Sequence, residues 1–204
     1  MKAGRRRRPD YAQSEESDGL GNPLVPLHDT YTHTYGAWLP GDPRAFRRWH
    51  HSTHIEGDYK NPPPPGKYAE VLERSRELLV QAPVVLEPKW RCFFGRALRD
   101  RLLMFDLTLL CVTVGSTHAH MLAKMPGGPI PRKWVGMAKK HANFEGKAKG
   151  WTGKLWAEGS KPNPIKDRRH QVNTFNYILR HLDEGAWVWD FRNGERGAGI
   201  EDWV

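Results

Sequence analysis

The sequence predicts an α+β fold, an antiparallel sheet with helices packed on it. Three observations carry this reading. Short β-branched or apolar runs alternate with longer segments of helical period. Two of those runs, "DLTLLCVTVG" (106–115) and "HAHMLAKMP" (118–126), meet through Gly115 and Ser116, the signature of an antiparallel hairpin. The order is strand, helices, strand, strand, helix, short strand, helix, strand, without strict strand–helix alternation.

Along the chain, residues 1–27 carry an arginine run and "AQSEESDGLGNP", with little to bury, and are expected to be a disordered basic tail. The arginine run suits a nucleic-acid arm or a solubilising tail equally. Residues 28–192 are expected to form one domain, and 193–204 a C-terminal tail. "TYTHTYGAWLP", from Thr30, is β-branched and aromatic and reads as the first strand. "GDPR" is a turn. The loop 44–66 is rich in Pro, Gly and His; His50, His51 and His54 there suit solvent or phosphate better than a metal. "KYAEVLERSRELLVQA" (67–82) has helical spacing at Val71, Leu72, Leu78 and Leu79. "PVVLEP" is a short extended piece. In residues 89–105, Trp90, Phe94, Leu98 and Phe105 recur near a helical period. The hairpin follows. Pro131 opens a helix through "RKWVGMAKKHANF". A Gly- and Lys-rich loop then surrounds a short strand at Lys154 to Ala157. Asp167 N-caps a last helix that stops at Gly185, and "AWVWDF" is the last strand. Cys92 and Cys111 form no pair or metal motif and read as reduced core residues.

The net charge is +9, and its distribution is informative. From Pro131 to His181 there are twelve Lys and Arg against Glu145, Glu158 and Asp167, an excess as large as that of the whole chain. Trp134, Trp151 and Trp156 lie among these cations, and phosphate neutralisation beside base stacking needs that mixture. The apolar run at 102–114 is too short to span a bilayer, and no apolar segment follows the first charges, so a cytoplasmic, nucleoid-associated protein is expected.

His118 and His120 flank Ala119 in a strand, so both imidazoles project from one face. Such a pair can hold one divalent cation, though the pattern is short and, taken alone, fits two histidines without a ligand better. In the helix "HQVNTFNYILRHL", Val172, Phe175, Leu179 and Leu182 form the apolar stripe, with Ile178 at its margin. Tyr177 lies off that stripe, on a face shared with His170, Thr174 and His181.

Together these residues resemble the HUH single-strand transposases, specifically the REP-associated tyrosine transposases. "STHAHML" matches the family's His–hydrophobic–His strand, with Ala119 in the middle and Thr117 where a polar or acidic residue often stands. "FNYILRH" matches its tyrosine helix, with His181 where the family usually carries Asn or Gln. "TYGAWLPGDPR", "LWAEGSKPNPIKDRRHQ" and "YILRHLDEGAWVW" look like one subgroup, and the likeness covers roughly residues 30–191.

The resemblance implies a ferredoxin-like or RRM-like palm and a metal-dependent nuclease and strand transferase acting on single-stranded or hairpin DNA. It implies Tyr177 as the nucleophile, His118 and His120 as catalytic metal ligands with His181 as the third, and Mg²⁺ or Mn²⁺ as the cofactor. On donor chemistry alone, imidazoles favour Zn²⁺ or Mn²⁺. Lys154, Trp156, Lys161, Lys166, Arg168, Arg169 and Arg180 are the expected DNA-binding residues, with core packing the somewhat better role for Trp156. No membrane partner is expected; a monomer and a homodimer are both compatible. Alternatives are a replication initiator or relaxase of the same chemistry, a domesticated hairpin-binding protein, and an RRM-like binding domain. The last lacks an RNP-type aromatic motif.

Overall fold

A computed structural model describes residues 26–44, 55–56, 60–125 and 131–203. The N-terminal arginine run and His50 to His54 lie outside these residues. The described chain runs β1 (Leu27–His33), α1 (Ala69–Glu77), α2 (Pro88–Leu103), β2 (Thr108–Val114), β3 (His118–Lys124), α3 (Pro131–Ala148), β4 (Lys161–Pro164), α4 (Arg168–Arg180), β5 (Trp187–Asp190) and β6 (Gly194–Gly197). The six strands form one antiparallel sheet in the order β4-β1-β3-β2-β5-β6. The first four strands, with α1–α2 and α3 as crossovers, form the split β-α-β arrangement of ferredoxin-like folds. The β5–β6 hairpin extends the sheet past β2.

Strand alternation divides the molecule into two layers. On β3, Ala119, Met121 and Ala123 are buried in the core that α2 and α3 share with the sheet. His118, His120 and Leu122 face the other way, where α4 packs through Ile178 against Leu122 and Cys111. Both cysteines are buried and unbridged, as expected. The helix-side core is large. It contains Phe94, Leu98 and Leu102 of α2, Val135 and Ala138 of α3, and Trp187 of β5. Trp90, Phe94 and Trp151 meet within it at ring distances of 5.2–5.3 Å.

The closest approach is at Gly95 of α2. A Cβ there would lie 2.1 Å from the fully buried Trp187 indole. The indole is held on both sides: its Nε1 donates to Glu195 at 3.3 Å, and Glu195 accepts two bonds of 2.9 Å from Arg96. Gly95→Ala is therefore expected to destabilise the fold by about 2–3 kcal/mol, the cost of overpacking a rigid core. Chemical denaturation checks this; an unchanged midpoint would show that the ring yields freely.

A buried lysine secures the approach to β4. Lys139 of α3 donates to Thr32 Oγ1 at 2.9 Å and to the Ala157 and Gly159 carbonyls at 2.8 and 2.5 Å. Burial pulls its pKa down to about 8.

Several elements depart from the sequence reading. β1 starts at Leu27, three residues before Thr30, because polar His28 and Asp29 are laddered to Ala123 and Leu122. The stripe on α1 is not buried; Val71 is 41% and Leu78 75% exposed, and no residue of the helix is buried. No strand spans Lys154 to Ala157. That segment makes one bridge, Thr34 to Trp156, and the true strand is Lys161–Pro164. β4 carries Pro162 and Pro164, which an edge strand tolerates and a sequence reading treats as breakers. Asp167 caps α4 as expected, accepting from His170 N at 2.7 Å, but the helix ends at Arg180, and turns carry the chain to Gly185. Ile178, placed at the margin of the stripe, is the fully buried residue of α4, whereas Val172 is 40% exposed. The segment expected as a C-terminal tail contributes β6.

Candidate metal centre

The site lies on the sheet face opposite the main core, where α4 packs beside β2 and its side chains reach the β3 histidines. Period-two alternation presents His118 and His120 side by side there. Asp29, Tyr31 and His33 of β1 face the same way, because the ladder sets Tyr31 opposite His120 and His33 opposite His118. α4 supplies the remainder. Tyr177 lies in its last turn and His181 is its C-cap, one turn later.

Ligand nitrogens of His118, His120 and His181 all lie within 4.8 Å of one another, forming the one such cluster among the described residues. The rings of His118 and His181 are 4.9 Å apart, and those of His120 and His181 stack at 5.3 Å. The Tyr177 ring lies edge-on to His181 at 5.1 Å and to His120 at 5.7 Å. Small ring rotations bring the three nitrogens onto a single ion.

Second partners orient two of the rings. His120 Nδ1 is 3.1 Å from Asp29 Oδ1, and His181 Nδ1 is 2.9 Å from Glu184 Oε2. A carboxylate accepts, so each Nδ1 donates, and in the neutral ring that ligates a metal the lone pair is then on Nε2. This is the carboxylate–histidine arrangement that orients metal ligands. His181 Nε2 is buried and has no hydrogen-bond partner among the described residues, so the donor set fits an ion. The cluster can hold a metal ion.

Electrostatics point the same way. Burial, reinforced by His120, His181 and His33, pulls His118 down to about 4. Burial, and then Arg44, does the same to His33. Both rings are neutral at pH 7, the form that can ligate. Their folded pKa lies below the ordinary 6.5, so between about 4 and 6.5 the unfolded chain binds more protons. The part of the chelator-treated protein's stability that these two histidines contribute is therefore expected to be level above about pH 6.5 and to fall toward about pH 4, below which the depressed carboxyls of Asp42, Asp190 and Glu195 continue the loss. Denaturation midpoints at pH 7.5 and 5 check this, with His118→Gln flattening part of the slope. A flat wild-type profile would refute the depressed values.

A cavity of about 460 Å³ opens beside the triad, lined by Asp29, Tyr31, His33, Trp38, Arg44, His118, His120, Asn163 and Tyr177. Of the expected DNA-binding residues, Lys161 borders this face, its ammonium 5.7 Å from the Tyr31 ring. Lys166, Arg168, Arg169 and Arg180 are exposed on α4 or just before it. Lys154 is elsewhere, over Tyr35 at 5.4 Å and bracketed by Gln81. Trp156 packs against the helix-side core with its ring 6.3 Å from Phe94, which gives it the packing role. His170, expected on the face of Tyr177, accepts from Lys166 N at 3.2 Å.

Asp29, Glu184, His33, Trp38, Arg44 and Asn163 were not anticipated. A signal existed for two of them, since Asp29 and His33 share a period with Tyr31 in "LHDTYTH". No protein-family model matches the chain, and no curated protein matches it.

Proposed function

We propose that this chain is a metal-dependent single-stranded-DNA endonuclease and strand transferase of the HUH tyrosine transposase kind. The observation that carries the reading is Tyr177, whose ring packs edge-on against two of the three clustered imidazoles. A tyrosine beside a three-histidine cluster has a simple chemical use on a phosphodiester.

The metal, when bound, neutralises and orients the phosphate. Three imidazoles are poor ligands for Mg²⁺, so Mn²⁺ satisfies both the donor set and the family resemblance. Tyr177 Oη, having given up its proton, attacks phosphorus. The P–O3′ bond breaks, and the 3′ oxygen leaves as a hydroxyl after taking up a proton. The products are a 5′-phosphotyrosine and a free 3′ end. The bond is exchanged rather than hydrolysed, so a 3′-hydroxyl on the same or another strand can reverse the step without ATP. A phenol ordinarily ionises near pH ~10, so cations beside Tyr177 assist it. Arg180 follows on the same exposed helical turn, and Lys166, Arg168 and Arg169 supply positive charge for the strand.

Denaturing electrophoresis of the full chain with labelled hairpin DNA and Mn²⁺ tests the reading. A metal-dependent slow band that protease removes is the expected result. Tight binding on a native gel without such a band, for every hairpin and metal, would overturn the enzyme reading and favour a hairpin-binding protein.

A further inference from the structure

We infer that the cavity beside the triad is a subsite for one nucleobase of the bound strand, next to the phosphate that Tyr177 attacks. The inference rests on the proposed reaction for its strand, and on separate residues for its chemistry. The cavity, at about 460 Å³, falls within the about 300–1,000 Å³ range of small-ligand pockets. Its lining is suited to a flat heterocycle. Trp38 meets His33 edge-on at 4.8 Å, and Tyr31 meets it edge-on at 5.7 Å, so three rings of different orientation border the space. Every base has a π-face that such rings accept.

Hydrogen-bonding capacity is in place as well. His33 Nε2 is buried and makes no hydrogen bond among the described residues. Such a group is costly to leave unmade and marks a place for a ligand atom. Asn163, opposite Asp29 on the neighbouring strand, adds a carboxamide that can both donate and accept. A donor and an acceptor together read a base edge.

Charge argues against a phosphate in the same place. Among the described residues the cation in the lining is Arg44, and Asp42 holds it with bonds of 2.8 and 2.5 Å while a third goes to the Ala37 carbonyl. Asp29 adds a carboxyl to the wall. Aromatic faces with neutral hydrogen-bonding groups suit the base, and the phosphate belongs at the triad.

The test uses the full chain with EDTA present, so that binding is read apart from catalysis. The four deoxynucleoside 5′-monophosphates and deoxyribose 5-phosphate are titrated separately while the His33 ring resonances are followed by NMR. At least one nucleotide is expected to shift them saturably, and deoxyribose 5-phosphate is not. Trp38→Ala should weaken that nucleotide about tenfold, a loss in keeping with base–aromatic stacking. Asn163→Ala, on an edge strand, serves if Trp38→Ala does not fold. Equal binding of deoxyribose 5-phosphate would show a phosphate site and overturn the inference, as would no shift with any nucleotide. Either failure leaves the metal-dependent adduct untouched. Nucleotide binding without any adduct would sustain the subsite and overturn the transferase.

Discussion

Tyr177→Phe is expected to form no covalent protein–DNA species while binding hairpin DNA as the unaltered chain does. The substitution removes one oxygen. The ring keeps its edge-on packing on His120 and His181, and Tyr177 is 51% exposed, so no cavity opens. Loss of a nucleophile that acts in concert with its neighbours costs on the order of 10⁶-fold in rate, well beyond the reach of a gel assay. Denaturing and native gels on the same samples separate the two effects. A Phe variant that still forms the adduct would remove Tyr177 from the reaction. One that loses both adduct and binding would point to a structural role.

His181→Ala is expected to abolish metal binding, with His118→Ala behaving alike. Each removes one of three nitrogens that lie within 4.8 Å of one another. Loss of an outer partner typically costs about 10–100-fold in metal affinity, and loss of a ligand costs more. Asp29→Asn supplies the comparison, because it perturbs His120 only through Nδ1 and should fall within that about 10–100-fold range. Calorimetric titration with Mn²⁺ ranks the three. The backbone at His181 is held independently of its ring, since its carbonyl accepts from Ala186 N at 3.0 Å, so α4 should survive the change. Wild-type affinity in His181→Ala would reduce the cluster to a pair.

The pairing of His118 with His120 needed only strand alternation, and the link between Tyr177 and His181 only the helical repeat; both are local periods written in the chain. The hairpin, the Asp167 cap and the buried thiols of Cys92 and Cys111 were legible for the same reason. Local patterns could not show β4, because Pro162 and Pro164 read as breakers and only an edge position admits them. The tertiary structure alone decided that β1 lies between β3 and β4. That placement sets Asp29 behind His120 and puts His33 beside the triad, across 91 and 85 residues of chain. The tertiary structure also sets α4 beside β2, so that His181 meets two histidines some sixty residues earlier. Periodicity fixes which side of its own element a residue faces. Which elements become neighbours depends on the packing of the whole sheet, and the candidate site exists only where three of them meet.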